Sequence, residues 1–319
     1  MSFPAALSSV VALAALFVFV HALPAQRGGG GGSAPPPDPA IVFRETTSRN
    51  VFVRVMNADG SNVRTVVTGG RNDAIYNPSW SPDGTRLAFQ ASLSGNSGVW
   101  VVNLDGSGLQ RIVAATVYAI DGPWLEWSPA ATPDGRDKIA FQSPGVAGAN
   151  DLFVVNPDGT GLQNLTNSTA EESQFGWTRM ADGFYLGTAE PTNSFALVHL
   201  AAAFGGGVGI DGVIPLSDRR GGKNFPRSAN TRDLVIYDFL WFGTPSVSGL
   251  QTLDPTTTPP VTVQVTNGGE LMGSFSPDDT RLAYRRGSNI YTSRADGTGE
   301  DLIRAVGNTS CNFPCWKRR

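Results

Sequence analysis

The sequence predicts an all-β fold, a six-bladed β-propeller whose first blade is closed by the C-terminal strand. Three observations predict it. A unit about one four-stranded blade long recurs along the chain, glycine and proline account for 38 and 22 of 319 residues, and long helical periodicities are missing. Charged residues are only 16% and the formal net charge is −3, so no basic stripe exists to neutralise a phosphate backbone. Nucleic acid is therefore not an expected partner.

From the N-terminus, Leu7 to Val20 is an apolar run too short to span a bilayer comfortably, and Ala22 or Ala25 offers a signal-peptidase site after it. Residues 1–25 read as a signal peptide, and contact with a membrane is expected only if that leader stays uncleaved. Residues 26–39, with five consecutive glycines and then Ala34-Pro35-Pro36-Pro37, bury no core and read as a flexible, then stiff tether. The propeller is expected over 40–319, as a monomer.

The repeat is clearest at Pro78-Ser79-Trp80-Ser81-Pro82-Asp83-Gly84, which is followed by Leu87-Ala88-Phe89, Val99-Trp100-Val101-Val102 and Asp105-Gly106-Ser107-Gly108. Four strands fit this unit, joined by tight turns in which proline presets φ, glycine supplies positive φ and aspartate caps its own turn. It recurs from Trp127-Ser128-Pro129 through Asp158-Gly159-Thr160-Gly161, and from Phe275-Ser276-Pro277-Asp278 through Asp296-Gly297-Thr298-Gly299. Two degenerate copies start at Phe175-Gly176-Trp177 and at Phe225-Pro226-Arg227-Ser228. Ile41-Val42-Phe43 and Asp59-Gly60-Ser61 match a copy that lacks its first strand, and Phe313-Pro314-Cys315-Trp316 supplies that strand from the other terminus. The anchors Trp80, Trp127, Trp177, Ser228, Phe275 and Trp316 are thus one position repeated six times, read as packing between blades.

At these residues the chain resembles the WD40-like repeat of the TolB family, with its Trp-Ser-Pro-Asp-Gly turn, Ile/Leu-Ala-Phe strand and late Asp-Gly-Ser/Thr turn. The resemblance runs from about Ile41 to Trp316 and implies a six-bladed propeller that binds protein in the periplasm, as the translocation protein of the Tol-Pal system does. That protein carries an α/β domain before its propeller, where this chain has a leader and a tether. The matching positions are turns and packing aromatics, so no functional residue is carried across.

Chemistry is sparse. Outside the leader the one histidine, His199, reads as a strand residue, and no Gly-x-Ser-x-Gly elbow is present. Asp59, Asp105, Asp158 and Asp296 read as turn formers a blade apart, not as ligands of a shared cation. Cys311 and Cys315 either pair in an oxidising compartment or stand as two free thiols, and neither has a histidine near it for zinc. No catalytic residue, cofactor or metal is expected.

Binding is expected on variable loops held by the scaffold, on the rim opposite the Ser-Pro-Asp-Gly turns. The candidates are Trp241 and Phe242 in a loop after Asp238, Arg219, Arg220 and Lys223 in a cationic loop, and Tyr118 with Asp121. Tryptophan and arginine are favoured at the energetic centres of interfaces. The expected function is a periplasmic or secreted non-catalytic scaffold that binds another envelope or extracellular protein. A carbohydrate- or peptidoglycan-binding module, or a hydrolase with an unrecognised site, is the alternative.

Overall fold

Strands that bury both faces read as unbroken apolar runs, and each second strand here does so: Ile41-Val42-Phe43, Leu87-Ala88-Phe89 and Ile139-Ala140-Phe141 are all buried. The computed structural model describes residues 39–114, 124–145, 150–167, 173–189, 195–201, 209–214, 222–241, 247–257, 260–305, 307 and 309–318. Its strands group into four-stranded antiparallel sheets, taken in chain order as sheets 1 to 6.

Sheet 1 holds β1 (Ile41–Thr46), β2 (Val51–Met56) and β3 (Arg64–Gly69). Sheet 2 is β4 (Ala74–Trp80), β5 (Arg86–Leu93), β6 (Asn96–Asn103) and β7 (Gln110–Ala114). Sheet 3 is β8 (Leu125–Trp127), β9 (Ile139–Pro144), β10 (Asn150–Val155) and β11 (Gln163–Asn164). Sheet 4 is β12 (Ser173–Trp177), β13 (Gly183–Ala189), β14 (Phe195–Ala201) and β15 (Gly209–Ile214). Sheet 5 is β16 (Gly222–Ser228), β17 (Val235–Trp241), β18 (Val247–Asp254) and β19 (Val261–Gln264). Sheet 6 is β20 (Glu270–Phe275), β21 (Arg281–Arg286), β22 (Asn289–Arg294) and β23 (Asp301–Arg304). The last strand, β24 (Ser310–Trp316), pairs antiparallel with β1 and gives sheet 1 its fourth member, in the order β24-β1-β2-β3.

The register makes the repeat a structural equivalence. Each anchor faces the first large apolar residue of its second strand: Trp316 faces Ile41, Trp80 faces Leu87, Trp127 faces Ile139, Trp177 faces Phe184, Ser228 faces Val235 and Phe275 faces Leu282. Hydrogen bonds then tie first strands of neighbouring sheets together. The Trp80 indole donates to the Cys315 carbonyl (3.1 Å), the Trp127 amide to Ser79 Oγ (3.0 Å), the Trp177 amide to Glu126 Oε2 (3.0 Å) and the Trp316 amide to Ser274 Oγ (3.1 Å). Apolar clusters fill the spaces between sheets. Val42, Val53 and Val67 meet Ile75, Leu87 and Phe89 between sheets 1 and 2, while Ile41, Phe43 and Met56 meet Ala283 and Ile290 between sheets 6 and 1.

The late Asp-Gly turns pack against the neighbouring sheet. A Cβ on Gly60 would lie 2.1 Å from the Ile303 carbonyl oxygen of sheet 6, and one on Gly297 would lie 2.3 Å from the Val265 carbonyl oxygen beside sheet 5. Both glycines also have positive φ, 82° and 84°, so conformation and close approach select the same residue. Gly135 at φ 80° has open space around it, which separates the two effects.

Cys311 and Cys315 are free and buried. Both lie on β24, where Cys311 pairs opposite Glu45 and Cys315 opposite Val42. The Cys311 thiol is pushed up to about 12, first by burial and then by the Glu45 carboxylate beside it.

Two predictions follow from this packing. Trp316→Ala, at 4% exposure in the cluster between sheets 6 and 1, is expected to cost about 3–5 kcal/mol in urea unfolding. Gly297→Ala is expected to lower the thermal midpoint more than Gly135→Ala, because only the first adds a backbone clash to the strain; equal losses would show that the contact with Val265 is not made.

Candidate functional site

Every first strand that carries a β-bulge slips its register two to four residues before the anchor, at Tyr76/Ser79, Ser173/Phe175, Asn224/Arg227 and Leu271/Ser274, and opposite Val42/Arg44 in β24. A bulge leaves one residue unpaired and re-aims its side chain. Phe225, Met272 and Phe313, each three residues before an anchor, take left-handed φ values of 53°, 61° and 56° there. Trp124 holds the same position before Trp127 and is fully buried. These four side chains belong to one cluster, with Trp124 4.8 Å from Phe225 and 6.5 Å from Phe313 between ring centroids. Met272 comes from sheet 6, and Trp124, Phe225 and Phe313 come from sheets 3, 5 and 1, which are not neighbours of one another in the order of the chain. Contact between non-neighbouring sheets places them at the centre, where the first strands converge.

A polar tier lies beside this apolar plug. The residue after the buried aromatic of the second strand is Arg44 in sheet 1, Gln90 in sheet 2, Gln142 in sheet 3, Asp238 in sheet 5 and Arg285 in sheet 6. Four of them reach the next sheet. Arg44 Nη1 donates to the Ile75 carbonyl (3.2 Å), Gln90 Nε2 to the Gln142 carbonyl (2.7 Å) and Arg285 Nη1 to Asn312 Oδ1 (2.7 Å), and Asp238 accepts from the Met272 amide at 2.8 Å. Arg227 joins the tier by donating to the Pro314 carbonyl (3.1 Å) with its guanidinium 5.0 Å from the Trp124 ring. Arg44 likewise lies 5.0 Å from the Phe313 ring and 5.5 Å from Tyr76.

Burial sets the electrostatics of the tier. It pushes the Asp238 carboxyl well above the ordinary carboxylate range, against the opposing pull of the Met272 amide, Arg227, the Gly273 amide and Arg285. Burial also lowers Arg44 and Arg285, and the two guanidiniums repel each other.

The opposite end is built differently. In each late turn a hydroxyl two residues on donates to the aspartate: Ser61 to Asp59, Ser107 to Asp105, Thr160 to Asp158 and Thr298 to Asp296, at 2.6–2.7 Å. Thr256 does the same to Asp254 in sheet 5, a turn the motif search missed because proline replaces glycine. These hydroxyl bonds hold the four Asp-Gly carboxyls below their ordinary range. The early turns lie at this same end, since the Leu104 amide donates to the Thr85 carbonyl and the Ala295 amide to Thr280. Between sheets 2 and 3 this rim carries a cleft of about 670 Å³ lined by Asp83, Arg86, Arg136, Asp137 and Asp158. Arg86 stacks on Trp127 at 5.0 Å and Asp137 accepts from the Trp127 indole at 2.8 Å, so part of its charge is held by the anchor.

The sequence-predicted site is brought together only in part. Trp241 does not lie in a loop: it ends β17 opposite Val247, because β18 pairs residue by residue with Asp238, Phe239 and Leu240. Lys223 likewise belongs to β16, opposite Phe239, and not to a cationic loop. Phe242, Arg219, Arg220, Tyr118 and Asp121 lie outside the described residues. The tier of Arg44, Asp238 and Arg285 was missed, although its signal is a polar residue directly after the same aromatic in copy after copy.

No family model matches the chain. Among solved structures it is similar to TolB from Acinetobacter baumannii, with a TM-score of 0.71 at 16% identity, over 89% of this chain and 68% of that one. A chain of a nidogen/laminin complex gives a TM-score of 0.63 at 10% identity, over 87% and 98%. A gluconolactonase from Xanthomonas campestris gives 0.54 at 13% identity, over 83% and 98%. Likeness at such low identity shows the fold alone: the chain is an all-β protein of propeller arrangement, similar in fold to TolB. Functions as unlike as these share the architecture, so function has to be argued from the site.

The buried carboxyl makes stability depend on pH in a stated direction. Between the ordinary carboxyl range and its raised folded value, Asp238 keeps a proton in the folded chain that the unfolded chain has lost, so stability falls as pH rises through that window. Asp238→Asn keeps an acceptor for the Met272 amide and does not ionise. Its thermal midpoint is expected to vary less with pH than the wild type's above about pH 4, and a parallel pair of curves would show that Asp238 is not the source.

Proposed function

We propose that this chain is an exported, non-catalytic β-propeller of six blades that binds another protein in the cell envelope or outside the cell. On this reading residues 1–25 are a leader, 26–39 a tether, and β24 completes the first blade and closes the ring. Closure is supported by the β24–β1 pairing and by the packing of Ile41, Phe43 and Met56 on sheet 6.

The observation that carries the binding reading is the difference between the two ends of the sheets. At the turn rim each late aspartate is satisfied by its own hydroxyl. At the other end, where second strands finish and first strands begin, Arg44, Arg285, Tyr76 and Leu271 are half-buried and retain solvent contact. At that end β17 finishes at Trp241 and β16 begins beside Lys223, and the proposal takes these two residues as part of the binding surface together with Phe242, Arg219, Arg220, Tyr118 and Asp121 of the sequence. A rigid scaffold that presents variable connections on one rim is suited to recognition. The non-catalytic reading is supported by Cys311, which burial keeps protonated and hence a poor nucleophile at neutral pH.

Crosslinked capture from the source organism's envelope, with a tagged chain starting at Asp38, tests the reading. One enriched protein is expected, lost with Trp241→Ala, which should weaken binding by roughly 2 kcal/mol while leaving the thermal midpoint nearly unchanged. Enrichment of glycan fragments in its place would transfer the site to the carbohydrate reading.

A further inference from the structure

Half-buried arginines elsewhere in the molecule meet carboxylates. Arg54 and Arg304 pair with Glu45, Arg286 with Glu270 and Glu300, and Arg318 with Glu126. Arg44, Arg227 and Arg285 differ. Their partners are the Ile75 and Pro314 carbonyls, the Asn312 amide oxygen and the rings of Tyr76, Phe313 and Trp124, and among the described residues no carboxylate forms an ion pair with any of them. Arg227 is only 3% exposed, and its Nε has no hydrogen-bond partner among the described residues.

The three cations are one group. Arg44 and Arg285 sense each other's charge, Arg285 and Arg227 both act on Asp238, and Arg227 and Arg44 touch opposite members of the Trp124–Phe313 pair. Asp238 is the one acid in the group, and it lies fully buried with both oxygens facing the Met272 amide. A cluster of partly desolvated guanidiniums that forms no ion pair among the described residues costs the fold stability, and an anion that enters it gains charge-assisted hydrogen bonds at little further desolvation cost. Aromatic faces on the far side exclude water without competing for the ligand, and Tyr76 and Leu271 leave the tier open toward solvent.

We propose that the axis of the molecule, between Arg44, Arg227 and Arg285, is a binding site for a carboxylate. The planar fork of a guanidinium matches the two oxygens of a carboxylate, and Arg44 and Arg285, the half-buried pair, face the incoming group. Arg227, held by Pro314 and stacked on Trp124, positions the floor. The site stands independently of the protein partner proposed above, and its carboxylate comes either from a free organic acid or from an acidic side chain.

Isothermal titration of the full chain with sodium succinate, and separately with a blocked diglutamate peptide, at matched ionic strength tests the site. Saturable binding of at least one probe is expected, weakened about tenfold or more by Arg44→Gln or Arg285→Gln and unchanged by Arg281→Gln, whose pair with Asp301 lies on the surface. Binding of succinate alone assigns a free acid, and binding of the peptide assigns an acidic side chain. Without ligand, Arg285→Gln should melt no lower than the wild type, because it removes a partly desolvated cation that forms no ion pair among the described residues. No saturation with either probe, or undiminished binding by both arginine variants, would overturn the proposal, as would a large loss of unliganded stability that marks these arginines as structural.

Discussion

The molecule depends on the contact between first strands of neighbouring sheets. A four-stranded sheet with two apolar faces is not stable alone, and burying both faces requires a neighbour on each side. The anchor position satisfies this twice over. Its large side chain fills the space between sheets, and its amide or indole binds the residue just before the neighbouring anchor, as Trp80 does with Cys315 and Trp127 with Ser79. Because β24 carries Trp316 into the same role, the two ends of the chain become part of one hydrogen-bonded sheet. The edge of β1 that would otherwise invite pairing with another molecule is covered.

The same strands generate the centre of the molecule. A bulge just before the anchor turns Phe225, Met272 and Phe313 inward, and the closely packed aromatic plug follows from that local geometry. Second strands lie one step further out and contribute the polar tier, so a single register decides that Arg44, Asp238 and Arg285 meet. The turn rim shows the reverse design, with each late-turn aspartate bound by a hydroxyl two residues away.

Much of the fold was legible because turn chemistry is local. Ser-Pro-Asp-Gly and Asp-Gly-Ser place their own strands, and the Pro-x-Trp of Pro314-Cys315-Trp316 was readable as the missing first strand. The degenerate copies were legible only at their first two strands, since Leu197-Val198-His199-Leu200 and Val247 to Asp254 carry no turn motif to bound them. Asp238 to Trp241 was read as a loop because charge and aromatics follow Tyr237. In the structure β18 extends the ladder past that point, a long-range pairing that no local signal reveals. The arginines at the axis were passed over for a related reason. Each lies in a different copy, and only the packing of sheet 6 on sheet 1 makes neighbours of residues as distant in sequence as Arg44 and Arg285.

Hydrogen–deuterium exchange of backbone amides in β24 and β1 tests the central claim, that the chain's two ends form one structural unit with the rest. The account predicts that the amides of Val42, Arg44 and Asn312 exchange only with global unfolding, at the same rate as those of Leu87 and Ala88 inside sheet 2. Fast exchange of β24, with β5 still protected, would mean that the last strand frays as an ordinary terminus and that the first strands do not hold one another together.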